Sequence, residues 1–130
     1  MNTEVKKLMH QFWSSFGIPA FINNNVPPLD DNGNEIEMPY ITYSTTYSDW
    51  GTEDLNQITV WTRSDSFGPL GDICSKIHDA IPTGGRELIL PDGSGGVLVM
   101  RGTPFMQTLP TEPPDIKAEY INVITRSYII

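Results

Sequence analysis

The hydrophobic pattern changes from a two-residue repeat to a helical repeat in the middle of the chain. Residues 57–63 alternate in polarity and are rich in β-branched and aromatic side chains, which predicts a strand. A polar break follows, with Gly68 and then Pro69, whose fixed φ suits the first turn of a helix. Apolar residues then recur on one helical face: Leu70, Ile73, Cys74, Ile77 and Ile81. This stretch predicts a strand joined by a short turn to an amphipathic helix that folds back over the sheet.

The same two patterns predict the remaining elements. An apolar stripe at helical spacing predicts a first helix that begins at Thr3 and ends near Gly17. Strict alternation predicts a strand over residues 40–47 that forms a hairpin with the central strand. Further strands are predicted at residues 20–24, 87–90, 97–101 with a continuation over 103–107, and 116–130, an exposed closing strand. The sequence therefore predicts one α+β domain, residues 1–130, with two helices on one face of a mainly antiparallel sheet of about four to five strands.

Residues 25–39 are the longest irregular stretch, and we expect them to project as a loop or small hairpin. An Asp-Asn-Gly sequence ending at Gly33 indicates a turn within this stretch. Four apolar side chains lie in these otherwise polar surroundings: Val26, Leu29, Ile36 and Met38. A segment of this composition buries little apolar surface by itself. We therefore expect these four residues to contact a neighbouring subunit or another partner.

The charge balance and the composition exclude several classes of protein. The chain has 8 basic and 16 acidic residues and a formal net charge of −8, whereas a nucleic-acid-binding surface needs clustered Lys and Arg. It contains no apolar run of about 18 residues, so no membrane-spanning helix is predicted. The charged N-terminal residues argue against a signal peptide. Cys74 is the single cysteine, so no disulfide forms within the chain.

The residues that could support chemistry are few. Cys74 and His78 are four residues apart and share a helix face, so a thiolate–imidazole pair is one interpretation, although Cys74 lies on the apolar stripe. The acidic residues that begin at Asp30 resemble a calcium loop, but Glu35 occupies the position where an EF-hand needs glycine. No other His or Cys has a partner at metal-ligand spacing, so we expect no metal, cofactor or catalytic residue. Arg63 is expected to form a local ion pair with Asp65.

Three stretches carry a resemblance to a known family. They are MPYITYS at residues 38–44, VWTRSDSFGPLGDICSKIHDAI at residues 60–81, and AEYINVITRSYI at residues 118–129. Together with the order of elements, they resemble the tail terminator (tail completion) proteins of long-tailed bacteriophages. The resemblance implies a structural virion protein of the tail and neck, assembled in the host cytoplasm, without enzyme activity. It implies a homo-hexameric ring that caps the tail tube protein, joins the head-side connector and lets DNA pass through its lumen without specific binding.

In such a ring an acidic lumen would repel the phosphates of passing DNA. Asp49, Glu53 and Asp54 lie in the short turn before the central strand and are our first candidates for this lumen wall. The alternative is that they are solvated loop charges that serve solubility. Two other functions stay open at this point: another neck component such as a head-to-tail joining or adaptor protein, and a small α+β enzyme or ligand-binding module that uses Cys74 and His78.

Overall fold

The computed structural model describes residues 3–22, 29, 31–111 and 113–129. It contains two α-helices and six strands in the described ranges. Helix α1 (Thr3–Trp13) continues into a 3₁₀ turn (Ser14–Phe16), and helix α2 spans Gly68–Ala80. The strands are β1 (Ala20–Ile22), β2 (Tyr40–Tyr43), β3 (Glu53–Arg63), β4 (Arg86–Ile89), β5 (Gly95–Leu109) and β6 (Ile116–Ile129). The predicted α+β class and its two helices are confirmed.

The sheet is larger and less uniform than the sequence predicts. It has six strands in the order β1-β2-β3-β6-β5-β4, so the expected count of about four to five strands is wrong. It is also a mixed sheet, because β1 runs parallel to β2, with Ala20 opposite Ile41. Parallel neighbours cannot be joined by a tight hairpin and need a long connection. Strand β1 ends at Ile22 and β2 begins at Tyr40, so the sequence between them is long enough for such a connection.

The sequence predicts that the closing strand β6 is exposed, but this prediction is wrong. In the structure β6 lies in the interior of the sheet. It pairs with β3 along the whole of β3 and with β5 on its other side. Strand β5 reaches Leu109, as expected for a continuation beyond a kink, with a register shift between Arg101 and Met106. The two edges of the sheet are therefore the short strands β1 and β4.

One face of the sheet carries the hydrophobic core. Ile58 of β3 lies opposite Ile121 of β6 and opposite Tyr43 of β2, so these side chains point to the same face. They belong to one buried cluster with the apolar stripes of both helices, which include Met9 of α1 and Ile77 of α2. The amphipathic helices thus cover this face, as predicted. The reverse face has no helix in the described ranges, and Leu55 stands 63% exposed on it.

Strand β2 ends at Tyr43, four residues earlier than predicted. The cause is the buried side-chain amide of Asn56, which forms hydrogen bonds with the residues that follow Tyr43. The backbone N–H of Thr46 donates to Oδ1 of Asn56 at 2.9 Å, and Nδ2 of Asn56 donates back to the Thr46 carbonyl at 2.9 Å. The hydroxyl of Ser44 donates to the same Oδ1 at 3.0 Å. The Ser44 N–H still donates to the Gln57 carbonyl at 3.0 Å, and beyond it these side-chain bonds replace the ladder that a continued strand would have formed.

Candidate functional site

The acidic turn is rigidly held at the end of the sheet where β3 begins. The N–H of Gly51 donates to the carbonyl of Ser127 at 2.7 Å, which fastens the turn to β6. Gly51 has a φ of 82°, a conformation that favours glycine. The N–H of Thr52 donates to the Asp49 carbonyl at 3.1 Å and closes the turn. The position of this turn relative to the sheet is therefore fixed, as a wall of a channel requires.

The three acidic residues of the turn differ in whether their carboxylates are free to interact with a charge outside the turn. The carboxylate of Asp54 accepts hydrogen bonds from the N–H and the hydroxyl of Ser48, both at 2.7 Å, so it serves the turn itself. Asp49 and Glu53 are exposed. Glu53 lies opposite Arg126 across the β3–β6 ladder. Asp49 and Glu53 are thus the two carboxylates of this turn that can act on an outside charge, whereas Asp54 supports the turn.

The predicted partner loop lies at the opposite end of the sheet. Gly33, with a φ of 82°, forms the expected turn, and an isolated antiparallel bridge joins Leu29 to Glu35 as in a small hairpin. Leu29 is 52% exposed, and Ile36 and Met38 are half-buried. Val26 lies outside the described residues.

Two open clefts lie beside the described part of this loop. One, of about 580 Å³, is lined by residues 34–37 and Pro19, and the other, of about 460 Å³, is lined by residues 35–38 and Arg63. Ile36 borders both clefts and Met38 borders the second, so apolar side chains of the loop lie next to open space.

The ion pair of Arg63 differs from the prediction. Its Nη1 donates to Oδ2 of Asp115 at 2.8 Å, and not to the neighbouring Asp65. The β3–β6 register places Arg63 opposite Ile116, which brings Asp115 within reach. Both side chains are partly exposed, so the pair contributes at most about 1 kcal/mol. It ties the end of β3 to the loop before β6.

The structure does not bring Cys74 and His78 together. Cys74 is 5% exposed in the core, whereas His78 is exposed and lies 3.4 Å from Asp79 through Nδ1. Burial, with the nearby Glu119 carboxylate as a smaller cause, raises the pKa of the Cys74 thiol to about 12. Reactive cysteines have a lowered pKa and partial exposure. This thiol has the opposite properties.

We expect Cys74 to react slowly with thiol reagents in the native protein. A pKa of about 12 makes its thiolate fraction at pH 8 about a thousandfold smaller than that of an ordinary thiol with a pKa of 9.0. Labelling at pH 8 with and without denaturant measures the ratio of the two rates. Equal rates in both conditions would support the nucleophile interpretation and contradict this burial.

Two surface features were missed at the level of sequence. The first is a groove of about 400 Å³ between α1 and β1, lined by Thr3, Lys6, Lys7, His10, Ala20, Phe21, Ile22, Tyr43 and Thr45. Its walls come from distant parts of the chain, so no local pattern signals it. The second is the exposed Leu55 beside Ile124, its partner across the β3–β6 ladder. A strand prediction extended back to Glu53 would have placed Leu55 on the outward face.

Within the part of the chain that the structure describes, no three His, Cys, Asp or Glu side chains form a group that could hold a metal ion. None of the described helices has the length and apolar character needed to cross a membrane. Comparison of the sequence with protein-family models gives no match, and neither curated proteins nor solved structures match it. A function for this protein must therefore be inferred from the geometry of the chain itself and from the resemblance in its sequence.

Proposed function

We propose that this protein is a structural component of a bacteriophage neck, a homo-hexameric ring that terminates the tail tube. The observation that carries the proposal is that the sheet ends in two unlike edges, β1 and β4, and no described strand pairs with the outer side of either. An open edge is a template for pairing with another chain. The family resemblance of the sequence supports the same function.

Two unlike edges favour a ring over a symmetric dimer. A contact between different surfaces of identical subunits is head-to-tail, and it closes into a ring when the rotation between subunits permits. A stable contact of this kind buries roughly 1,000 Å² or more. The loop at residues 31–38, which borders an open cleft, and the exposed Leu55 supply additional surface for such contacts.

The two ends of the sheet suit different partners. The acidic turn lies where β3 begins, and the loop with Ile36 and Met38 lies near Arg63, where β3 ends. In the proposed ring, the rigid turn with Asp49 and Glu53 faces the lumen and repels DNA phosphates. The remaining surfaces contact the tail tube protein and the head-side connector. The ring needs no catalytic group, cofactor or metal for this role.

A head-to-tail joining or adaptor protein of the same neck is the second candidate. It would use the same open edges, and the partner to which the ring attaches distinguishes the two. A small α+β enzyme or ligand-binding module that uses Cys74 and His78 is disfavoured, because the thiol is buried and the imidazole lies on the surface.

We expect Asp49→Lys with Glu53→Lys to alter DNA passage without preventing ring assembly. Asp54 is left unchanged because it holds Ser48. Lysine at residue 53 faces Arg126 and costs only about 0.5 kcal/mol. Native mass spectrometry should show the wild-type ring in both proteins. Particles with the double variant should eject DNA more slowly, or the protein should gain salt-sensitive DNA binding.

The control for this experiment is Asp72→Lys with Asp79→Lys, two exposed positions on α2 that give the same change in net charge. The control should leave ejection unchanged unless α2 also lines the channel. If the turn variant assembles, ejects DNA normally and does not bind DNA, the turn does not line the lumen. If the wild-type protein stays monomeric, the ring itself is excluded.

A further inference from the structure

The groove between α1 and β1 has the features of a site for an added strand. Strand β1 forms one edge of the sheet, and no described strand pairs with its outer side. Ile22 in this strand is 43% exposed, although it is a large apolar residue. Extended peptides bind to such edges through main-chain hydrogen bonds, and pockets for alternate side chains give specificity.

The two sides of this edge differ in chemistry. On the α1 side the groove is lined by Lys6 and Lys7. Phe21 alternates with Ala20 and Ile22 along β1, so its side chain lies on the reverse face, where its ring packs against Tyr40 with centroids 5.9 Å apart. An added strand therefore meets positive charge on one face and an aromatic ring on the other.

The positive charges of the two lysines at the groove are not neutralised by ion pairs among the described residues. Within the described residues neither Lys6 nor Lys7 has an ion-pair partner. By contrast, Arg63 is paired with Asp115, and Arg101 donates to the Ile81 carbonyl at 2.7 Å. In a chain with twice as many acidic as basic residues, two adjacent cations with no ion-pair partner among the described residues favour an acidic occupant.

A segment of matching pattern occurs in the chain itself. Residues 35–38 read Glu-Ile-Glu-Met, so an extended conformation places Glu35 and Glu37 on one face and Ile36 and Met38 on the other. Glu35 is already in bridge pairing with Leu29. Ile36 borders the clefts beside Pro19 and Arg63, so among the described residues this segment has open space next to it.

We propose that residues 35–38 of one subunit add as a strand to the outer edge of β1 in a second copy of this chain. Glu35 and Glu37 then face Lys6 and Lys7, and Ile36 and Met38 lie beside Phe21. The contact is heterologous, because the segment and the groove are different surfaces of each subunit. This inference rests on the proposed ring and names the contact that closes it.

The test uses two charge reversals that complement each other. One variant carries Lys6→Glu and Lys7→Glu, and the other carries Glu35→Lys and Glu37→Lys. Each variant alone sets like charges against each other, so the protein concentration needed for assembly should rise about tenfold or more. In a one-to-one mixture each variant's groove meets the other's segment with opposite charge, and assembly should return to near the wild-type level.

Control variants on α2 separate this contact from a general effect of charge. Lys76→Glu, and separately Asp72→Lys with Asp79→Lys, change exposed charges on α2 and should leave assembly unaltered. Circular dichroism of each variant establishes that it is folded. If either groove or segment variant assembles as the wild type does, or if the mixture assembles no better than its components, the inference is wrong.

A synthetic peptide of residues 31–40 tests the same contact whether or not the protein forms rings. It should bind the wild-type protein in a salt-dependent manner and bind the Lys6→Glu, Lys7→Glu variant at least about tenfold more weakly. Absence of binding to the wild type overturns the inference. Normal rings of the groove variant that no longer bind tail tubes would assign the groove to an acidic partner protein instead. If the wild-type protein is monomeric but binds the peptide, the ring is excluded and the groove is still a binding site for this segment.

Discussion

Replacing Asn56 with aspartate is expected to lower the free energy of unfolding by about 3–5 kcal/mol at neutral pH. Asn56 is 2% exposed. Its amide nitrogen donates to the Thr46 carbonyl at 2.9 Å and to Oγ1 of Thr125 at 2.8 Å, while its oxygen accepts from Ser44 and Thr46. Aspartate has nearly the same shape, but it turns a donor into an acceptor that faces the Thr46 carbonyl and buries a charge.

The neighbouring residue provides a matched control for this substitution. Gln57 is exposed, and its amide reaches Oδ1 of Asn122 at 3.3 Å, so Gln57→Glu makes the same chemical change at the surface. We expect the control to change stability by about 0.5 kcal/mol or less. Urea unfolding of both variants measures the difference. A cost for Asn56→Asp no greater than that of Gln57→Glu would refute the assigned network, which also positions the chain leading to the acidic turn.

Gly95→Ala is expected to destabilise the protein by about 3 kcal/mol or more, because β5 and β6 approach each other closely at this residue. A Cβ atom at Gly95 would lie 2.1 Å from the carbonyl oxygen of Tyr128 and 3.1 Å from Cα of Ile129. Both are backbone atoms of the neighbouring strand, so the two strands must separate to admit a methyl group. No side-chain rotation relieves this contact.

Gly71→Ala is the control for the glycine substitution. A Cβ at Gly71 meets no atom within 4 Å, and the residue lies inside α2. Alanine should therefore stabilise the helix by about 0.5–1 kcal/mol. Thermal unfolding of the two variants should shift in opposite directions. Similar midpoints for both would show that the close approach at Gly95 does not limit stability.

The elements that follow from local patterns were predicted well. Helix α2 appears at Gly68–Ala80 because its apolar stripe and Pro69 act within the segment itself. The hairpin of β2 and β3 likewise follows from alternation in two neighbouring segments. Hydrophobic periodicity determines which face a helix or strand buries, so it is sufficient for these elements.

The features that depend on distant residues were not predictable from such patterns. The parallel pairing of β1 with β2 depends on which strands meet, and alternation alone does not encode the direction of a neighbour. Strand β2 stops at Tyr43 because Thr46 hydrogen-bonds to the side chain of Asn56, which lies ten residues further along the chain and in another strand. Arg63 selects Asp115 over Asp65 because the β3–β6 register brings the two together.

The same division applies to the candidate sites. The acidic turn was recognised from sequence because its carboxylates are close along the chain, but the structural role of Asp54 emerges only from its bonds to Ser48. The groove was not recognised from sequence. By pattern alone Lys6 and Lys7 are the polar face of a helix, and only the structure shows that β1 lies beside them. A site assembled from a helix, an edge strand and a second copy leaves no contiguous signal.

The proposed ring is tested most directly by electron microscopy of tail tubes to which the purified protein has been added. The tubes should acquire a homo-hexameric ring at one end only, and their elongation should then stop. A protein that remains monomeric and never occupies a tube end would contradict the account.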